Sequence, residues 1–281
     1  MSGILTVIIS IICIVFFLIG LIWLGFRIEP ESFLRHPKNT SIAGTIELPP
    51  DLPEPVMRYY ETAAGTRVPE VRSAVVWSKA KLRINGIWMP VRSKTYYLPG
   101  QAFLRYMEVT WFGLPILRVN DSFINGEGVT RIEGLLNSKE SGEKINQGSN
   151  LALWGEVVFT PSIFVTDKRA SWESLDKGTV RLVVPYGEQN DSLLFNFDPE
   201  TGLITRISAL RYKGQGEEKT PWLIDITEWM ISHYIKIPSQ FSVIWEDESS
   251  PWSYWTVEGV EYNVDISNII KYDPESSGVK R

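Results

Sequence analysis

Asn146-Gln-Gly-Ser-Asn-Leu-Ala-Leu-Trp-Gly-Glu-Val-Val-Phe-Thr-Pro-Ser-Ile-Phe164 is the one long apolar stretch beyond residue 30 whose spacing is helical. Leu151, Trp154 and Val158 recur at the period of a helix face, and Leu153 and Val157 widen that stripe. Ser149 is the expected N-cap, since its hydroxyl can accept from an early helix N–H. Pro161 marks the end, because residues before proline avoid helical geometry. A short helix that is apolar almost all round must be buried, and alternating, strand-like sequence flanks it on both sides. The expected fold is therefore mainly β (α+β): a curved antiparallel half-barrel with one or two short helices packed on its concave face.

Upstream of the helix, residues 71–85 alternate, with Val76, Ala80, Leu82 and Ile84 set against Lys79, Lys81 and Arg83. Asn85-Gly86 is a two-residue hairpin signal leading into 87–98, and Pro99-Gly100 turns into 101–112. Residues 114–124 and 128–136 follow, joined through Asn125-Gly126, so short turns make this half an antiparallel meander. Downstream, strands are expected at 171–175, 179–185, 192–197, 203–212, 222–230, 236–246 and 255–264. The stretch 222–234 could also be helical, with the strand reading preferred for 222–230. Asp198-Pro-Glu-Thr-Gly202 is turn chemistry. Residues 52–64 place Val56, Tyr59, Tyr60 and Ala63 on one face, as a short amphipathic helix capping the domain. The expectation is roughly eleven strands and two short helices, without repeats.

Residues 4–26 carry no charge until Arg27. At about 1.5 Å per residue such a helix crosses a hydrocarbon core of roughly 30 Å. The run is longer than a signal-peptide core, its front has no Lys or Arg, and no small-residue cleavage site follows. Residues 1–28 are read as an uncleaved transmembrane anchor, 29–50 as a linker holding an Asn39-Thr-Ser sequon, 51–272 as the domain and 273–281 as a flexible tail. The basic residues Arg27, Arg35 and Lys38 after the helix favour a cytoplasmic domain by the positive-inside count.

The chemistry classes narrow quickly. Net charge is −5 and basic residues are scattered, which argues against nucleic acid as a partner. The only cysteine, Cys13, lies in the apolar run. His36 and His233 stand in no metal-ligand spacing, so no metal or cofactor is assigned. A pairing of Asp225 with His233 is conceivable for hydrolysis, but no Gly-x-Ser-x-Gly elbow accompanies it. Glu156 is the one acid inside the helical stripe; desolvation there would raise its pKa, while an arginine on a facing strand would neutralise it. The tryptophans of the second half, Trp222, Trp229 and Trp245 among them, would line an apolar gap under the helix. The expected ligand-binding set is Gln147, Trp154, Glu156, Trp222, Trp229 and Trp245, with no catalytic residue assigned.

Several blocks carry a resemblance: Leu52-Pro-Glu-Pro-Val-Met-Arg-Tyr-Tyr60, Val71-Arg-Ser73, Ile145-Asn-Gln-Gly148 through Leu151, Glu156 and Pro161, Thr220-Pro-Trp222, and Thr256-Val-Glu-Gly-Val-Glu-Tyr262. Together they resemble an uncharacterised bacterial domain-of-unknown-function family of membrane-anchored proteins, over about residues 52–262. Asp198-Pro-Glu-Thr-Gly-Leu-Ile-Thr-Arg-Ile207 and Ile237-Pro238 more loosely resemble the carboxyl-terminal part of LolA/LppX-like lipoprotein carriers. That resemblance implies a half-barrel holding acyl chains. Both resemblances imply a domain outside the cytoplasm, against the charge count. The functional expectation is a membrane-anchored, single-pass, extracytoplasmic binding domain for a lipid or lipid-linked molecule. An envelope scaffold module, or a hydrolase using Glu156 or Asp225/His233, are the alternatives.

Overall fold

The computed structural model describes residues 2–35, 44–134, 137–187 and 189–271. His36, the Asn39 sequon, and the tail from 272 onward lie outside the described residues. In chain order come α1 (Ser2–Gly25), β1 (Thr45–Glu47), α2 (Glu54–Ala63) and β2 (Arg67–Pro69). A first meander follows: β3 (Ala74–Ile84), β4 (Ile87–Leu98), β5 (Ala102–Trp111), β6 (Leu114–Ile124), β7 (Glu127–Glu133) and β8 (Ser138–Ser141). Next are α3 (Glu143–Gly155), a 3₁₀ turn (Glu156–Phe159) and α4 (Ile163–Thr166). The second meander is β9 (Ser171–Ser174), β10 (Thr179–Tyr186), β11 (Gln189–Phe197), β12 (Ile204–Tyr212), β13 (Lys219–Ser232), β14 (Ile235–Trp245) and β15 (Ser253–Tyr262).

β15 pairs antiparallel with β3, fusing the two meanders into one 13-stranded sheet ordered 8-7-6-5-4-3-15-14-13-12-11-10-9. Its edges, β8 and β9, do not pair with each other, so the barrel stays open. The chain crosses from one edge to the other through α3, which packs against β7 on one wing and β12 on the other. The expected half-barrel with a helix on its concave face is what the molecule forms. Strand 222–230 is extended and lies within β13, not helical.

Local chemistry explains the hairpins. Asn85-Gly86 and Asn125-Gly126 both take left-handed angles at their two central positions (φ 49 and 82°, 56 and 80°), as tight hairpins require. Phe112-Gly113 and His233-Tyr234 make the same turn without an Asn-Gly signature. Along β10, Val180, Leu182 and Val184 point to the core and are fully buried while their neighbours are half-buried, the period-two pattern of a strand. Three short strands, β1, β2 and β8, carry too few residues for a legible period.

The helix begins earlier than its apolar stripe suggests. Gly142 precedes it, and Ser149 sits in the helix interior instead of capping it. The reason is that its polar first half is also buried, bonded to strand edges. The Asn146 side chain accepts from Gly128 N (2.7 Å), and Asn150 Nδ2 donates to Pro185 O (3.0 Å). The far end is held by two buried hydroxyls: Tyr60 of α2 donates to Pro161 O (2.6 Å) and Tyr262 of β15 to Phe159 O (2.9 Å). The main core lies between the concave face and this helical segment. A smaller core of Val75, Trp77, Tyr96 and Ala102 lies on the convex face, under Ile266, Ile270 and Phe33.

The segment 29–35 is packed along that convex face. Ser32 Oγ donates to Glu258 Oε1 (2.6 Å), Arg35 to Glu258 O (2.6 Å), and Arg92 to Glu31 O (3.1 Å). α1 itself is long and apolar enough to cross a membrane, and nearly all of its span is exposed. Its end is nonetheless bonded to the sheet: Phe112 N donates to Gly25 O (2.8 Å) and Trp111 Nε1 to Ile22 O (3.2 Å). A Cβ on Gly25 would fall 1.9 Å from the Trp111 indole nitrogen, so only glycine permits this approach.

Candidate functional site

Between α3 and the two wings lies a cavity of about 200 Å³. Its first wall is a single cross-strand row. Thr95 of β4 faces Arg105 of β5, Arg105 faces Asp121 of β6, Asp121 faces Thr130 of β7, and Thr130 faces Glu140 of β8. Arg105 is the hub. Its Nε donates to Thr95 Oγ1 (3.2 Å), its Nη1 stands 3.7 Å from Asp121 Oδ2, and its Nη2 is bonded to Glu156 Oε2. The same Glu156 oxygen accepts from Tyr97 Oη (2.5 Å), and Asp121 Oδ1 accepts from Thr130 Oγ1 (2.9 Å). Glu156 reaches this row from the C-cap of α3, where the helix tightens into the 3₁₀ turn.

The opposite wall is aromatic. Trp222 and Trp245 are register partners on β13 and β14. Trp252 and Trp255 continue the wall, and Phe241 stacks on Trp255 (5.9 Å between centroids, 4° between planes). Arg211 of β12 enters from this side. Its guanidinium lies over Trp222 (4.6 Å) and Trp245 (5.6 Å) and rests on the helix at Gly148, where a Cβ would fall 2.8 Å from Nη2. The Arg211 Nε is buried without a hydrogen-bond partner, and no ion pair reaches its guanidinium among the described residues.

The electrostatics of the two arginines diverge. Burial works against the charge of Arg105, but Glu156, Tyr97 and Asp121 outweigh it and hold its pKa above the ordinary value. Burial pushes Arg211 down to about 10, because Asp121 and Glu156 act only from a distance and Arg105 repels it. Burial also raises the Asp121 carboxyl above its usual range, against the pull of Arg105 and the Thr130 hydroxyl. A carboxyl raised on folding adds stability below its unfolded pKa of 3.8 and loses it as pH climbs through the folded value. Replacing Asp121 with Asn should therefore compare better with the parent at pH 7 than at pH 3.5. Denaturation midpoints at the two pH values check this, and an unchanged difference would contradict it.

Of the cavity-lining residues only Glu140 and Gly214 are exposed, which locates the mouth between β8 and the β12–β13 hairpin. That seam is closed lightly: Lys144 Nζ donates to Gln215 O (3.4 Å) and Gln215 Nε2 to Ser141 O (3.0 Å). Lys144 and Lys219 both lie over the Tyr212 ring at 5.5 Å. β3, β5, β12 and β14 finish, and β4, β6, β13 and β15 start, at one end of the sheet. The mouth and the attachment of α1 at Trp111 and Phe112 therefore share that end.

Of the six residues expected to bind ligand, Glu156, Trp222 and Trp245 line the cavity and the other three do not. Gln147 is tied to the second wing: Nε2 donates to Asp191 Oδ2 (2.6 Å) and Leu210 O (3.0 Å), and Oε1 accepts from Tyr212 N (3.3 Å). Trp154 is 1% exposed and packs toward the β4–β5 turn at Gly100. Trp229 lies against Tyr59 of α2 (6.1 Å), beyond a bulge in β13. Asp225 and His233 stay apart. Asp225 is ion-paired to Arg206 in mid-strand, while His233 sits in the turn after β13, eight residues and about 25 Å further on. Sequence spacing did not mark Arg105, Asp121, Tyr97 or Arg211.

Among solved structures, the chain is similar to a DUF1329 family protein from Desulfovibrio piger at 11% identity and a TM-score of 0.44, covering 79% of this chain and 96% of that one. It is also similar to a LolA superfamily protein from Nitrosomonas europaea at 7% identity and a TM-score of 0.40, covering 80% and 96%. No curated protein matches it in sequence. The family of unknown function DUF6544 matches residues 44–257, and the chain belongs to that family.

Proposed function

We propose that this protein is a membrane-anchored binding domain, displayed outside the cytoplasm, that takes an apolar or amphiphilic ligand into the cavity under α3. The observation that carries the reading is the cavity itself: four tryptophans and Phe241 on the sheet side, Phe159 on the helical side, and a mouth at the end of the sheet where α1 attaches. With α1 in a bilayer, that mouth faces the membrane surface. At about 200 Å³ the cavity is smaller than the roughly 300–1,000 Å³ that encloses a drug-sized molecule, so it suits one short chain or the leading part of a longer one. Each methylene moved from water into it contributes about 0.8 kcal/mol.

Ala152 lines the cavity from α3 and is buried, so a tryptophan there would occupy the space. The full chain should bind the uncharged dye N-phenyl-1-naphthylamine at one site, read by its fluorescence gain, and Ala152→Trp should reduce that binding at least tenfold. Equal binding by a folded Ala152→Trp variant would contradict the proposal.

A further inference from the structure

Arg211 stands out among the charged residues that line the cavity. Asp121 and Glu156 gather on Arg105, while among the described residues Arg211 has neither an ion pair nor a partner for its buried Nε. A buried cation without a counter-ion is unfavourable, and removing it would be the simple remedy. The protein instead shapes its surroundings to hold it. Trp222 and Trp245 present their faces to the guanidinium, and Gly148 leaves room for it in mid-helix, where alanine would otherwise be preferred. At the mouth, Lys144 and Lys219 flank Tyr212, the next residue along β12. A planar, doubly donating guanidinium in an aromatic wall matches one kind of group, a carboxylate or phosphate.

We propose that the ligand is a single-chain anionic amphiphile whose carboxylate or phosphate pairs with Arg211 and whose chain lies against Trp252 and Trp255. This rests on the cavity being a ligand site, as proposed above. Arg211 then provides the selectivity for charge, and the apolar wall provides the attraction common to any chain of that length.

The test uses the full chain in an amphipathic polymer, with polymer-only binding subtracted, and three ten-carbon probes: decanoate, decyl phosphate and decanol. The parent should bind at least one of the two anions tenfold or more tightly than decanol, and the preferred one tells carboxylate from phosphate. Arg211→Gln should abolish that ratio, weakening the preferred anion at least tenfold more than decanol. Gly148→Ala keeps the charge but pushes the guanidinium away, and should shrink the ratio as well. An intact ratio in Arg211→Gln, or equal binding of all three probes by the parent, overturns the role of Arg211 and leaves the cavity reading standing. Binding of none of the three overturns both. Acetate or inorganic phosphate displacing the decyl anion at equal concentration would show a site for free anions, and would also overturn the amphiphile.

Discussion

Arg105→Met is expected to destabilise the domain by about 3–5 kcal/mol, the range found when one partner of a buried ion pair is removed. The side chains of Arg105 and Glu156 are each 13% exposed, and that of Asp121 is 21% exposed. Without the guanidinium, two carboxylates remain in an aromatic cavity, with the Tyr97 and Thr130 hydroxyls as their hydrogen-bond partners among the described residues. Arg105 also lies over Phe103 (5.3 Å) and Trp255 (5.9 Å), so its loss removes contact area as well as charge. Denaturant titration of the full chain measures the loss. The double variant Arg105→Met/Glu156→Gln should recover part of it, because the remaining glutamine needs no cation. A loss under about 1 kcal/mol, as exposed pairs give, would mean that water already fills the row and screens it.

Trp154→Ala should cost a similar amount, about 3–5 kcal/mol, for a different reason. Trp154 is among the largest fully buried side chains and fastens α3 to the turn between β4 and β5. Truncation leaves a hole that neither the helix nor the strands can close. Trp222→Ala makes the informative contrast. Trp222 already borders open space in the cavity, so fewer of its contacts are with packed atoms and its removal should cost less. The two variants compared in one denaturant series check the assignment of Trp154 to the core and Trp222 to the cavity wall. Equal losses would contradict it.

Much of the fold could be read from the sequence because the turns are explicit. Asn85-Gly86 and Asn125-Gly126 set the register of two hairpins, whose strands then pair residue for residue without a shift. The polar row was harder to read. From the Phe112-Gly113 turn, Trp111 pairs with Leu114, and counting back six residues sets Arg105 against Asn120. A bulge between Val109 and Thr110 shifts the register by one, so that Asp121 faces Arg105. A one-residue slip exchanges the faces of a strand; the extra residue is Ile116 on β6, and the one mark of it in the sequence is Pro115 beside it. A second bulge, around Glu228, separates Trp229 from the face that Trp222 occupies. Arg211 follows a different obstacle. Six residues of loop separate β12 from β13, too long a connection to fix which side chains oppose one another. Gln147 was expected to bind ligand as a polar residue of the buried helix, whereas its side chain is satisfied by the second wing.

The central claim is that the cavity holds an apolar chain. Its most direct test is native mass spectrometry of the full chain released from detergent micelles, followed by organic extraction of the same sample. A discrete added mass that extracts into organic solvent, and that is absent from Ala152→Trp, is the expected result. A bare protein mass, unchanged after incubation with membrane lipids and identical in the variant, would contradict the claim.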